Sequence, residues 1–247
     1  MVHGSTAHPA RGVGKGARRF RPPVCGGLTG ARFDGGGRDE VERDALSTAP
    51  RKTPPRPATE ADLLALPDDG RGFELLDGEL VEKQTGFHHG HAQGQVVVNL
   101  APYRRGSGGG DGPGGWWFLV EQLVRFDPSR TLRPDLAGWH RERLPRPPLG
   151  DDTVVHVRPD WICEIISASN AGNDLVKKKR IYHRHEVPHY WIIDPRDQSL
   201  TVMRWATDGY MDVLNALGDE RVRAEPFGAV EFLVGVLFGD EDDGAPP

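Results

Sequence analysis

The sequence predicts one α/β domain with a mixed central sheet, preceded by a long irregular leader. Three observations carry that expectation. Between Thr59 and Phe238, short runs rich in β-branched and aromatic residues alternate with helical stretches. Within them, Trp161 to Ile166 is apolar on both faces except at Glu164, the pattern of a strand covered on both sides. By contrast, residues 1–58 are rich in Gly, Pro and Arg and show no sustained periodicity, so a disordered leader is expected there. An acidic tail over 239–247 closes the chain, leaving 59–238 as the folded unit.

The elements follow in order. Thr59-Glu60-Ala61-Asp62 resembles a capping box ahead of Leu63, Leu64 and Leu66, and Pro67 stops that short helix. Phe73 to Leu76 and Glu79 to Glu82 read as two strands around an Asp77-Gly78 turn. A helix is expected from His89 to Tyr103, with Val96, Val97 and Leu100 inward. The Gly-rich stretch Arg105 to Gly115 lacks the Gly-Lys-Ser/Thr of a phosphate-binding loop and reads as a connector. Trp116 to Phe126 reads as one strand, Arg133 to Trp139 as the next. Val154 to Ile166 then reads as two short strands or one broken at Pro159. A helix over Asn173 to His185 ends at Val187-Pro188. A buried strand at Tyr190 to Ile193 and a hairpin turning at Asp208-Gly209 complete the set.

The bulk properties exclude several classes. No apolar run approaches the roughly 18 residues of a membrane span, so no membrane partner is expected. The first residues lack an apolar secretory core. Two cysteines, Cys25 and Cys163, make no disulfide framework and fit a reducing cytoplasm. The formal charge of −5 means that nucleic-acid binding must rest on a local basic patch or on metal ions.

The chemistry starts at Glu164. A carboxylate inside an apolar strand costs several kcal/mol unless an ion pair or a metal compensates it. Asp135 follows Pro134 and opens a strand, and Asp160 similarly follows Pro159. Carboxylates on neighbouring strands can face each other and, with a backbone carbonyl and water, form the oxygen-rich shell that Mg²⁺ or Mn²⁺ takes. Asp174, Lys178 and Tyr182 share one face of the next helix, which could overlie those acids. His88, His89 and His91 invite a zinc reading, but no Cys or carboxylate nearby in sequence completes a tetrahedral set.

At these residues the sequence resembles a known family. The segments are Leu75-Leu76-Asp77-Gly78-Glu79-Leu80, Arg133-Pro134-Asp135-Leu136, Arg158 to Ser167, Asn173-Asp174-Leu175 with Lys178 and Tyr182, and Val187 to Pro195. In this order they resemble the Uma-type restriction endonuclease family of the PD-(D/E)xK nuclease superfamily. The resemblance implies a restriction-endonuclease-like mixed central β-sheet flanked by helices. It also implies a metal site of Asp135 and Glu164, with Mg²⁺ or Mn²⁺ as cofactor. Ile166 stands where the superfamily carries its lysine, and the family supplies one from the following helix. Lys178 is at that place, with Lys177 and Lys179 adjacent. Glu79 and His89 match two further positions near the metal.

The implied activity is phosphodiester hydrolysis with DNA as the expected nucleic-acid partner, and a homodimer is compatible with it. Lys177, Lys179, Arg180, His183, Arg184 and His185 would contribute phosphate contacts. The rival reading is an inactive nucleic-acid-binding or interaction module of the same fold. Two neighbouring buried carboxylates repel, so Glu164→Gln is expected to hold or gain stability.

Overall fold

The computed structural model describes residues 56–83, 86–104, 106, 113–147, 153–167 and 172–242. Most of the expected leader and the end of the acidic tail lie outside the described residues. These residues all belong to a compact unit running from Thr53 to Pro247.

The first element, α1 (Glu60–Leu64), is capped as its sequence suggests. Thr59 and Asp62 exchange the reciprocal hydrogen bonds of a capping box, with the Thr59 amide donating to Asp62 Oδ2 at 2.8 Å. Pro67 does more than stop that helix, because it begins a second short one, α2 (Pro67–Gly70). The hairpin of β1 (Phe73–Leu76) and β2 (Glu79–Glu82) turns on Asp77 and Gly78, whose φ values of 53° and 79° give the turn its primed handedness. Next comes α3 (Phe87–Asn99), continued by a 3₁₀ turn at Ala101–Arg104. Its inner face buries Ala92 and Val96, with Leu100 at its end.

The run Trp116 to Phe126 is not one strand. It splits into β3 (Trp116–Val120) and β4 (Leu123–Asp127), which belong to different sheets. The break falls at Glu121, whose φ of 53° turns the chain out of the strand direction. The chain then forms β5 (Arg130–Leu132), β6 (Leu136–His140), β7 (Val154–Val155) and β8 (Trp161–Ile165). The helical stretch after β8 is π-helical over Asn173–Lys178 and α-helical over Lys179–Arg184, the latter being α4. Strands β9 (His189–Asp194), β10 (Ser199–Ala206) and β11 (Gly209–Leu217) follow, and β12 (Arg221–Val222) pairs with β13 (Phe232–Leu233).

Two larger sheets result. The six-stranded sheet has the order β11-β10-β9-β8-β6-β3, and the five-stranded sheet has the order β2-β1-β5-β4-β7. Both are mixed. In the first, only β8 and β9 are parallel, and the helix between them makes the crossover that parallel neighbours require. One face of this sheet packs Trp161, Cys163, Ile165 and Trp191 against α3 and the C-terminal 3₁₀ turn, Val234–Phe238. The other face packs Ala137, Trp139, Ile162 and Tyr190 against α4 and against Leu76, Val124 and Leu132 of the five-stranded sheet. Strand β8 is therefore buried on both sides, as its composition requires.

Gly138 is a tight point in this packing. A Cβ there would come within 3.1 Å of both the Phe118 and Trp161 rings. Gly138→Ala is accordingly expected to cost about 1–3 kcal/mol by overpacking. Urea unfolding would read this as a lower midpoint with an unchanged slope.

Candidate metal and acid–lysine centre

The site lies where the chain passes twice between the two sheets. One passage is Glu121, between β3 and β4. The other is Arg133-Pro134-Asp135, between β5 and β6. The two passages touch: the Glu121 amide donates to the Asp135 carbonyl at 3.1 Å. Gln93 of α3 donates to the same carbonyl at 2.8 Å. Pro134 biases Arg133 toward extended backbone, and the chain bends at Asp135 before β6 begins. The antiparallel register of β6 with β8 begins at Leu136 and Cys163, which leaves Asp135 just before β6 and beside the end of β8. Glu164 shares the parity of Ile162 and belongs to the face that meets α4, where Lys178 and Tyr182 reach it, whereas the Asp135 side chain reaches Lys83 after β2 and His89 of α3.

Both acids are buried and each has its own cation. Asp135 Oδ2 accepts the Ile165 amide at 2.6 Å, while Oδ1 accepts from Lys83 Nζ at 2.5 Å. Glu164 lies 3.3 Å from Lys178 Nζ through each oxygen, and Tyr182 Oη donates to its Oε1 at 2.5 Å. Lys178 and Tyr182, four residues apart across the end of the π-helical segment, thus reach the same carboxylate. Lys178 also lies 3.1 Å from Glu74 Oε2. That oxygen accepts the Arg133 amide at 3.1 Å. Lys83 follows β2 and donates to the Arg133 carbonyl at 2.6 Å.

The titration of these groups follows from that geometry. Burial alone would push the Asp135 carboxyl up, but the Lys83 ammonium and His89 hold it well below the usual carboxylate range. Burial opposes charge on Lys83, and Asp135 first among its neighbours raises it above its ordinary value nonetheless. Burial likewise opposes charge on His89, but Asp135 and Glu121 raise it to about 9. Burial, followed by the neighbouring Glu164, pushes the Tyr182 phenol well up, so it stays a donor. Cys163, on the opposite face of β8, is pushed up by burial and is an inert thiol.

A cavity of about 510 Å³ opens onto the site, lined among others by Arg71, Lys83, His89, Gln93, Glu121 and Arg133. Asp135, Glu164 and Lys178 sit behind that wall. His89, Glu121 and Asp135 each offer a ligand atom, and these atoms lie within 4.8 Å of one another. The His89 nitrogens are both buried without a hydrogen-bond partner, although Nε2 is only 3.3 Å from Asp135 Oδ1. An imidazole without a hydrogen-bond partner beside two carboxylates fits a metal ion, which would displace the proton that His89 carries at neutral pH. The carboxylates missing near the histidines in sequence are brought to His89 by other elements, which removes the ground given above against a metal-binding histidine.

Of the residues singled out from the sequence, Asp135, Glu164, Lys178 and His89 come together. Glu79 does not: it is exposed at the start of β2, across the hairpin from Leu76. The hairpin's buried acid is Glu74, on β1. Asp160 stands at the far end of β8, accepting the His140 amide and the Arg143 side chain. Glu74, Lys83 and Glu121 were not singled out. Glu74 and Glu121 carry the same signal as Glu164, a lone carboxylate in an apolar run. Lys83 carries none, because a lysine after an exposed strand end looks like a surface residue.

Two mixed sheets flanked by helices, with an acid–lysine centre at their seam, define a restriction-endonuclease-like α/β protein. Residues 60–234 match the Uma2 family, described as "Putative restriction endonuclease", and the chain belongs to that family. Its fold is similar to a crystal structure from Anabaena variabilis described as "a putative nuclease belonging to DUF820". The TM-score is 0.56 at 22% identity, covering 74% of this chain and 98% of that one. No curated protein matches the chain.

Proposed function

We propose that the unit from Thr59 to Phe238 is a divalent-metal-dependent endonuclease that hydrolyses phosphodiester bonds in DNA. The observation that carries this reading is the buried placement of Asp135 beside the Glu164–Lys178 pair, next to a cavity lined by His89, Lys83 and Arg133. Asp135 is the anchoring acid for Mg²⁺ or Mn²⁺, with Glu164 as its second acid. Such an ion would polarise the phosphodiester and lower the pKa of a water molecule. Lys178 pairs with Glu164 and orients it, and Tyr182 fixes the remaining geometry by donating to Oε1. The cations at the cavity wall, Arg71 and Arg133 among them, favour an anionic substrate.

Beyond the cavity, Lys179, Arg180 and Arg184 line an open groove together with Tyr210. They suit backbone phosphates. His183 and His185 are less available for that role: the first is bonded to the Ala206 carbonyl at 2.8 Å, and the second lies half-buried 3.5 Å from Asp127. Plasmid cleavage tests the proposal. The protein is expected to nick or cut DNA with Mg²⁺ or Mn²⁺, to stop on chelation and to resume when the ion is restored. DNA binding without cleavage under any divalent ion would favour the inactive binding module instead.

A further inference from the structure

We propose that Glu121 completes, with His89 and Asp135, the shell of a transition-type divalent cation, and that the Lys83 ammonium holds the cation's place. The inference deepens the reading above and rests on it for an ion at Asp135. Lys83 Nζ touches the same two carboxylates that an ion would bridge, at 2.5 Å from Asp135 Oδ1 and 3.4 Å from Glu121 Oε2. His89 Nε2 faces the same pair, at 3.3 Å from Asp135 Oδ1 and 3.7 Å from Glu121 Oε1. His89 is 6% exposed and neither of its nitrogens has a hydrogen-bond partner, so an imidazole that yields its proton to an incoming cation would turn a nitrogen lone pair on the cluster.

Glu121 is the turning residue between the two sheets, and its carboxylate lies with ligand atoms of Asp135 and His89 inside one 4.8 Å cluster. Gln93 steadies that carboxylate at 3.3 Å. Both Glu121 and Lys83 line the cavity, which gives an ion a route in and the flexible lysine stem a route out. One imidazole nitrogen with two carboxylate oxygens suits Mn²⁺ better than Mg²⁺, which favours an all-oxygen octahedron. Exchange of one cation for another keeps the buried carboxylates neutralised throughout.

Mn²⁺ titration of the full chain by calorimetry, joined to pulsed electron paramagnetic resonance, tests this. The expected spectrum shows ¹⁴N modulation from an imidazole, and His89→Gln removes it. Glu121→Gln should weaken Mn²⁺ binding by roughly tenfold or more, the scale of a perturbed metal shell. Lys83→Met should tighten it by a comparable factor, and Lys83→Gln serves if the Met variant does not fold. An all-oxygen signal that depends on Asp135 and Glu164 but ignores Glu121 and Lys83 would overturn the inference and leave the metal-site reading standing. The expected binding pattern without cleavage of any nucleic acid would support the inference and overturn the nuclease reading. An intact chain that binds no Mn²⁺ would overturn both.

Discussion

Lys178→Met is expected to lower stability by roughly 3–5 kcal/mol, the cost of removing one partner from a buried ion pair. The lysine is 1% exposed and lies between Glu74 and Glu164, themselves 2% and 0% exposed. Methionine fits the volume of the stem, so the loss would be electrostatic rather than a cavity. Two carboxylates would then share a dry site without the cation between them. The same arrangement changes the expectation for Glu164→Gln. Repulsion between two bare acids would make glutamine neutral or favourable. Here each acid already has a lysine, so glutamine takes a charge away from Lys178 and an ionised acceptor from Tyr182. A loss is expected instead. The double variant should lose less than the two single variants combined, because the second change removes a charge the first has stranded. Urea unfolding in chelator at neutral pH measures all three. Strict additivity would show that Lys178 and Glu164 do not act on each other.

Much of the scaffold was legible because local signals and tertiary packing agree. The capping box at Thr59, the Asp77-Gly78 turn, the doubly apolar strand at Trp161 and the Pro188 stop all formed as their chemistry dictates. The reading of Trp116 to Phe126 failed for a physical reason. An unbroken run of strand-forming residues contains no Gly or Pro, and a glutamate at φ 53° leaves no compositional trace. The resemblance placed Glu79 near the metal, whereas the buried acid of that hairpin is Glu74. Both are glutamates of one hairpin, and alternation separates faces only where one face meets water. Strand β1 lies between β2 and β5 and buries both faces from Glu74 onward. Lys83 depended on a contact with Asp135 fifty-two residues away, which no local pattern encodes.

Asp135→Asn is expected to reduce cleavage by roughly a thousandfold or more, as when one member of a coupled catalytic set is removed. Its effect on the fold should be nearly as large, although asparagine has the same shape. The carboxylate serves the Ile165 amide through Oδ2, and Lys83 and His89 through Oδ1. Asparagine has one acceptor oxygen. If that oxygen keeps the Ile165 amide, the NH₂ faces the Lys83 ammonium, donor against donor. If it turns to Lys83, the NH₂ meets the Ile165 amide. Either choice strands a buried donor, and Lys83 loses its closest countercharge, for about 3–5 kcal/mol in all. The variant should also change how stability depends on pH. His89 rises from 6.5 to about 9 in the folded protein, with Asp135 first among the groups that raise it. A group raised in this way stabilises the fold fully below about pH 6.5 and loses that contribution as pH climbs through about 9. Asp135 works in the opposite direction: its carboxyl is held below 3.8, so its contribution persists at neutral pH and is lost only in acid. In chelator, the unfolding free energy of the intact protein should therefore fall between pH 7 and pH 10, and that of the variant should fall much less. Imidazole NMR reads the same event directly. A His89 resonance still titrating near 9 in Asp135→Asn would show that another group holds the imidazolium, and that Asp135 is not its principal partner.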